Sequence, residues 1–93
     1  MDEIIKEKIQ KAAEVLKSFG ATEVYVFGSV ATDTYNEDSD IDLAVSGIPP
    51  KNFFSAMGSV FSALQSEVDL IDLDEKSLFS EYLKTHGELK RVV

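Results

Sequence analysis

The chain contains no cysteine among its 93 residues. This absence excludes disulfide bonds and thiolate zinc sites. Basic residues are also scarce: 9 Lys and Arg stand against 17 Asp and Glu, which gives a net charge of −8. Because a protein that grips a phosphate backbone needs clustered Lys and Arg, we expect no direct nucleic-acid binding, and a basic partner protein suits the chain better.

Long apolar runs are missing as well. No stretch approaches the length that spans a bilayer, and the first residues lack the basic and apolar regions of a signal peptide. We therefore expect a cytoplasmic protein without a membrane segment. A hydrophobic fraction of 44% with 28% charged residues is typical of a folded globule. At 93 residues we expect a single domain over residues 1–93, while homo-oligomerisation stays open.

The N-terminal part of the chain predicts a helix followed by a strand. Asp2 is placed to cap the helix, and Gly20 to end it in a left-handed conformation. Its apolar residues recur at spacings of three and four, as on one helix face: Ile5, Ile9, Ala12, Ala13, Leu16 and Phe19. Residues 23–27 are rich in β-branched and aromatic side chains, which predicts a buried strand.

The middle of the chain predicts a second strand and a second long helix. Residues 30–34 suit a short helical turn, and residues 40–45 alternate acidic and apolar side chains as a half-buried strand does. Gly47 and Pro49-Pro50 mark a turn. The helix that follows carries an apolar face made of Phe53, Met57, Val60, Phe61 and Leu64.

The C-terminal part predicts a third strand, over about residues 67–73, and a last helix. Asp74 is placed to cap this helix and Gly87 to stop it. Its core-facing side is expected to hold Leu78, Phe79, Tyr82 and Leu83. Residues 88–93 read equally well as a short strand or a free tail. The alternation of helices and strands predicts an α/β (α+β) fold with one small mixed β-sheet.

Gly28-Ser29 is the first candidate binding site in the sequence. A strand that ends in Gly-Ser and turns into a helix presents backbone N–H groups and a hydroxyl with no bulky side chain, which suits an anion such as phosphate. The plainer alternative is an ordinary turn with a helix cap.

Asp40 and Asp42 form the second candidate. Two residues apart on a strand, they share one face with roughly 7 Å between their backbones. Their hard oxygen ligands favour magnesium or manganese, although two aspartates could also form a solvated face. A helix-loop-helix calcium loop is excluded, because Leu43 and Pro49 stand where that loop requires glycine and glutamate.

A third carboxylate is available on the next strand. Asp69 and Asp72 are three residues apart, so they point to opposite faces. The alternation of side chains along the strand does not indicate whether Asp69 or Asp72 is the third carboxylate of the site.

Gly28-Ser29, followed after ten residues by Asp40-Ile41-Asp42, resembles the motif of the minimal nucleotidyltransferases of the DNA polymerase beta superfamily. The surrounding Ser39-Asp40-Ile41-Asp42-Leu43 is similar to that family too. The resemblance implies the polymerase beta-like nucleotidyltransferase fold. It also implies that the third carboxylate is Asp69 of the pair Asp69-Leu70, rather than Asp72.

The same resemblance implies a reaction and a partner. The reaction is metal-dependent transfer of a nucleoside monophosphate, AMP from ATP or another triphosphate, to an acceptor hydroxyl. Asp40, Asp42 and Asp69 would be the catalytic and metal-binding residues for two Mg²⁺ or Mn²⁺ ions, and Gly28 and Ser29 would hold the phosphates. Family members pair with small helical HEPN-type proteins as antitoxins and adenylylate a tyrosine of the partner, which this chain is expected to do.

One departure from the family pattern keeps other functions open. Relatives follow Gly-Ser with a segment like Ala-Arg-Gly, whereas this chain has Ala31-Thr32-Asp33, which removes a cation and adds an anion beside the expected triphosphate. The alternatives are a non-catalytic antitoxin that acts by contact, and a regulatory subunit that binds nucleotide or metal. His86, the one histidine, is expected to be a cap or surface residue rather than a base.

Overall fold

The computed structural model describes residues 3–28, 40–87 and 89–92. Within these ranges, helices and strands alternate much as the sequence predicts. In chain order they are α1 (Glu3–Ser18), β1 (Glu23–Phe27), β2 (Ile41–Ser46), α2 (Pro50–Leu64), β3 (Val68–Asp72), α3 (Leu78–His86) and β4 (Lys90–Arg91).

The four strands form one mixed sheet in the order β3-β2-β1-β4. Strand β1 pairs antiparallel with β2 on one side and with β4 on the other. Strands β2 and β3 run parallel, with α2 as the crossover between them. The predicted α+β fold with a small mixed sheet is therefore confirmed, and the C-terminal tail, left undecided by the sequence, supplies the edge strand β4.

The main core lies on one face of the sheet, under α1 and α2. The apolar side of α1 meets Ile41, Leu43 and Val45 of β2, together with Ala56, Val60 and Leu64 of α2. A smaller cluster occupies the opposite face, where Leu83 of α3 packs with Phe27, Ala44 and Leu73. Because the second cluster is small, part of that face stays accessible, and it is the face that carries Asp42.

Two predictions about α3 are wrong. Ser77, not Asp74, caps the helix: its Oγ accepts a hydrogen bond from the Ser80 N–H at 3.1 Å. Asp74 instead accepts hydrogen bonds from the Ser46 hydroxyl and the Gly47 N–H, at 2.6 and 2.7 Å. The carboxylate is thereby used to join the end of β2 to the turn after β3.

The predicted apolar side of α3 is also largely turned away from the sheet. Leu83 is buried, but Leu78, Phe79 and Tyr82 are 93%, 48% and 57% exposed. Ser80 takes the second inward position and is fully buried. Its hydroxyl donates a hydrogen bond to the Glu75 carbonyl at 2.6 Å, which compensates for burying a polar side chain there.

The remaining boundaries differ by a residue or two from those predicted. Asp40 lies just before β2 rather than in it. In α2 the inward residues are Ala56, Val60 and Leu64, while Phe61, expected in the core, is 49% exposed. Helix α1 ends before Gly20, whose φ is +111°, and α3 stops at Gly87, both as predicted.

Some predictions fall outside the described residues: the cap at Asp2, the phosphate-binding Ser29, and the helical turn over residues 30–34. In the ranges that are described, none of the helices has the length and apolar character needed to cross a membrane.

Candidate functional site

The site begins where β1 ends, at Gly28. Its φ is +68°, in the left-handed region that side chains disfavour. A Cβ atom added there would lie 2.2 Å from Oδ2 of Asp42. Glycine at this position therefore lets the Asp42 carboxylate lie directly against the backbone at the end of the neighbouring strand.

Strand pairing places a second carboxylate beside Asp42. In the parallel pair of β2 and β3, Asp42 is the register partner of Asp69, whereas Asp72 is the partner of Val45. Asp72 also accepts a hydrogen bond from the Asp74 N–H at 2.9 Å. Of the two aspartates between which side-chain alternation could not choose, the structure brings Asp69 next to Asp42.

The electrostatics of Asp42 reflect this crowding. Its pKa is raised from 3.8 to about 6; burial is the largest cause, and the charge of Asp69, a hydrogen bond with Asp69 and the charge of Asp40 contribute to the same rise. Two of these causes, the charges of Asp69 and Asp40, are an excess of negative charge around the Asp42 carboxyl. A bound cation would relieve that excess.

Asp40 stands at the edge of this group. It is exposed, directly before β2, and acts on Asp42 through its charge. Within residues 3–28, 40–87 and 89–92, no three acidic or histidine side chains are already gathered around one point as metal ligands. The structure thus brings Asp42, Asp69 and Gly28 together, and Asp40 lies beside them.

An aromatic wall adjoins the carboxylates, and sequence reasoning did not identify it. Phe27 is the register partner of Asp42 across β1 and β2, so both side chains lie on the same sheet face. The ring of Phe27 meets that of Phe79 edge to face, with centroids 6.3 Å apart. In the sequence, the position of Phe27 directly before Gly28 could have indicated that its ring lies near the site. The contact with Phe79 of α3 could not have been found in this way, because it depends on tertiary packing.

A separate cleft lies elsewhere on the molecule. It has a volume of about 700 Å³ and is lined by residues that include Ile48, Phe53, Phe54 and Asp74. This cleft is at the opposite end of β2 from Asp42. Hydrogen bonds from Ser46 and Gly47 lower the pKa of Asp74, so its carboxylate already has partners. This cleft is therefore separate from the site formed by Gly28, Asp42 and Asp69.

Comparison with known families agrees with this geometry. The profile of the family described as "Nucleotidyltransferase domain" matches residues 8–91, which is nearly the whole chain and includes Gly28, Asp40, Asp42 and Asp69. The chain belongs to the nucleotidyltransferase domain family. No curated protein sequence matches this nucleotidyltransferase domain significantly.

Among solved structures, the chain is similar to minimal nucleotidyltransferases. A minimal nucleotidyltransferase superposes with a TM-score of 0.73 at 25% identity, covering 94% of both chains. A toxin–antitoxin structure with AMP-PNP gives a TM-score of 0.72 at 29% identity, over 90% of this chain and 71% of the other.

A third neighbour is the complex of a tri-AMPylated HEPN toxin from Shewanella oneidensis with its MNT antitoxin. It gives a TM-score of 0.58 at 27% identity, and the match covers 77% of this nucleotidyltransferase domain and 58% of the other chain. The resemblance to minimal nucleotidyltransferases of toxin–antitoxin pairs is confirmed by these structures.

Proposed function

We propose that this nucleotidyltransferase domain transfers a nucleoside monophosphate, AMP from ATP, to a tyrosine hydroxyl of a HEPN-type partner and thereby acts as its antitoxin. The observation that carries the proposal is the packing of Asp42 against Gly28 on one side and Asp69 on the other. A carboxylate pair beside a glycine turn at a strand end is a suitable arrangement for divalent metal and triphosphate.

The residues fit the metal that this reaction needs. Asp40, Asp42 and Asp69 offer hard oxygen ligands, and burial together with the negative charges of Asp69 and Asp40 raises the pKa of Asp42. These three residues would hold two Mg²⁺ or Mn²⁺ ions. When bound, the ions neutralise charge on the triphosphate and make the acceptor hydroxyl more acidic.

The chain's own groups would then position the reactants. The backbone at Gly28, together with Ser29, binds the β and γ phosphates, and the absence of a side chain at Gly28 leaves room for the Asp42 carboxylate beside them. Asp69 accepts the proton of the acceptor hydroxyl. The hydroxyl oxygen forms a bond to the α-phosphorus as the bond from that phosphorus to the bridging oxygen breaks, and pyrophosphate leaves. Positioning and charge neutralisation supply most of the rate.

Transfer is tested with a HEPN-type partner protein, magnesium, and ATP labelled at the α-phosphate. We expect label on a partner tyrosine, one pyrophosphate released for each label, and no transfer by Asp42→Asn. Asp72→Asn is the matched control, since Asp72 lies on the opposite face of β3, and it should transfer normally. An intact complex that transfers no label would defeat the proposal.

A second candidate is an antitoxin that neutralises by contact alone. It is favoured by Thr32-Asp33, which replaces a cation and a glycine of the family pattern with a polar and an acidic residue. Asp40→Asn separates the two candidates in a growth assay with the toxin. Neutralisation should be lost if transfer is required and retained if contact suffices.

A regulatory subunit that binds nucleotide or metal without transfer is the remaining alternative from the sequence. Calorimetric titration with manganese and ATP detects the binding that it shares with the transferase. Binding without any transfer to the partner, together with failure to neutralise the toxin, would favour this alternative.

A further inference from the structure

Helix α3 presents an apolar surface that its own fold does not use. At about 100° per residue, Leu78, Phe79, Tyr82 and Leu83 lie on one arc of the helix. The inward direction is set instead by Ser80 and Leu83, which are 0% and 4% exposed. The apolar arc is thus rotated away from the sheet, and only its far edge, Leu83, is buried.

The rotation is held by specific hydrogen bonds. Ser80 Oγ donates to the Glu75 carbonyl at 2.6 Å and accepts from the Ser77 N–H at 3.1 Å, while Ser77 Oγ caps the helix through the Ser80 N–H. Turning Leu78 and Tyr82 inward would break this capping box. The hydrogen bonds at the N-terminus of α3 therefore keep the apolar arc turned away from the sheet.

Exposed apolar side chains are concentrated on this helix. Of the six large ones in the described ranges, three belong to the nine residues of α3: Leu78, Phe79 and Tyr82. We call these three the α3 patch. The patch has a charged neighbour, the Glu81–Lys84 pair at 3.9 Å, whose side chains are exposed. An apolar centre with a polar rim is typical of a protein–protein interaction site.

The patch is continuous with the carboxylate site. The Phe79 ring contacts that of Phe27 at 6.3 Å, and Phe27 is the strand partner of Asp42. A protein seated on the patch would therefore cover the same sheet face as Asp42, one aromatic ring away from it. A macromolecular acceptor that docks on the patch is therefore placed with its surface near the carboxylates.

We propose that the α3 patch, made of Leu78, Phe79 and Tyr82, is the docking surface for the protein that carries the acceptor hydroxyl. This inference rests on the proposed transferase function and specifies how its substrate is held. The partner it fits has an apolar groove that takes residues one, two and five of a short helix. Tyr82 is suited to an anchor position because its ring buries a large area and its hydroxyl can still form a hydrogen bond.

The test measures partner binding and transfer separately. The probe is a HEPN-type partner protein, titrated calorimetrically into this protein without nucleotide. The double variant Leu78→Ser with Tyr82→Ser should bind about tenfold more weakly or worse. Titration of the same variant with manganese and ATP should give the wild-type affinity, because neither residue belongs to the phosphate or metal site.

Phe61→Ser is the matched control. Phe61 is 49% exposed, nearly the same as Phe79, but it lies on α2, which covers the opposite face of the sheet. This variant should bind the partner as the wild type does. Both Leu78 and Tyr82 are more than half exposed, so the double variant should also keep the wild-type unfolding midpoint in urea.

The outcomes separate this inference from the proposed function. Equal partner affinity in the wild type and the double variant, or a loss confined to Phe61→Ser, overturns the docking surface. A wild-type protein that self-associates through the patch, and becomes monomeric in the double variant, overturns it as well. A wild-type protein that binds the partner through the patch but transfers no label defeats the transferase and leaves the docking surface standing.

Discussion

At the scale of single residues, the missing side chain of Gly28 makes room for the Asp42 carboxylate in the candidate site. Gly28 has a φ of +68°, and the Asp42 carboxylate occupies the space where a Cβ would be. Two independent reasons, backbone conformation and close approach, therefore require glycine at one position. On its other side, the Asp42 carboxylate lies beside Asp69, its register partner on β3.

We expect Gly28→Ala to destabilise the protein and to weaken divalent cation binding. The backbone strain should cost about 1–3 kcal/mol in the free energy of unfolding, because alanine disfavours this φ. The displaced Asp42 carboxylate should lower manganese affinity about tenfold or more. Urea unfolding and calorimetric titration measure the two effects.

Gly58→Ala is the control for that substitution. Gly58 lies in the interior of α2, and a Cβ there would meet nothing within 4 Å. Alanine should therefore stabilise the helix by about 0.5–1 kcal/mol. If both variants changed stability by the same amount and in the same direction, the special role of position 28 would be refuted.

Asp42 should make stability depend on pH in the metal-free protein. Its pKa is about 6 in the fold, against an ordinary 3.8, so the folded state binds more protons than the unfolded state between these values. The free energy of unfolding should therefore decrease as the pH rises from about 4 to about 6. Because Asp42 is partly exposed, solvent screening reduces the effect to on the order of 1 kcal/mol.

Asp42→Asn isolates this contribution. The difference in unfolding free energy between wild type and variant, measured in urea with a chelator present, should change across that pH window. Asp69→Asn should move the window to lower pH, since it removes a neighbouring negative charge. Asp72→Asn should leave it in place, and identical pH profiles for the wild type and Asp42→Asn would contradict the assignment.

At the scale of elements, α3 illustrates a conflict between apolar periodicity and hydrogen bonding. Periodicity places Leu78, Phe79 and Tyr82 toward the core, but the helix starts with a capping box in which Ser80 is the inward partner. A buried serine with its hydrogen bonds made is tolerated, and one without them is not. The cap therefore determines which side of α3 faces the sheet.

Ser80→Ala should destabilise the protein by about 1–3 kcal/mol, because it removes the hydroxyl that accepts from the Ser77 N–H and donates to the Glu75 carbonyl. Urea unfolding measures the loss. Thr85→Ala is the control: Thr85 also donates to a backbone carbonyl, that of Glu81, but on the exposed side of α3. Its effect should stay within about 0.5 kcal/mol; equal losses would show that burial of Ser80 is unimportant.

At the scale of the whole molecule, the acid surplus is unevenly distributed. The net charge is −8, and Asp40, Asp42 and Asp69 concentrate part of it on one side of the sheet. The long helices α1 and α2 cover the other face, while the short α3 covers only part of this one. The arrangement leaves the acidic side accessible to ligands.

Millimolar manganese should therefore raise the melting temperature at neutral pH. Each kcal/mol of stabilisation corresponds to about 4–8 °C for a domain of this size. The double variant Asp40→Asn with Asp42→Asn should show a much smaller rise, and sodium chloride at matched ionic strength should not reproduce it. An equal rise in the wild type and the double variant would place the bound cation elsewhere.

Local features of the sequence were enough to predict much of the fold. The bounds of β1 are as predicted, because five β-branched, aromatic and acidic residues ending at a glycine are a local signal. The apolar side of α1 was likewise predicted residue by residue, with Ile5, Ile9 and Leu16 all buried. The run from Gly28-Ser29 to Asp40-Ile41-Asp42 pointed to a common site because a phosphate-binding turn and a carboxylate pair serve the same chemistry, and because the run resembles the family motif.

The sequence alone determined the three helices, the strands β1 to β3, and which residues could form a site, since periodicity and turn chemistry act over a few residues. Only the tertiary structure decided which of them meet. Parallel pairing of β2 with β3 places Asp69 beside Asp42 and Asp72 beside Val45. The buried hydrogen bonds of Ser80 orient α3 and expose Leu78 and Tyr82. Both outcomes depend on strand register and on packing against the sheet, which no local pattern in the sequence contains.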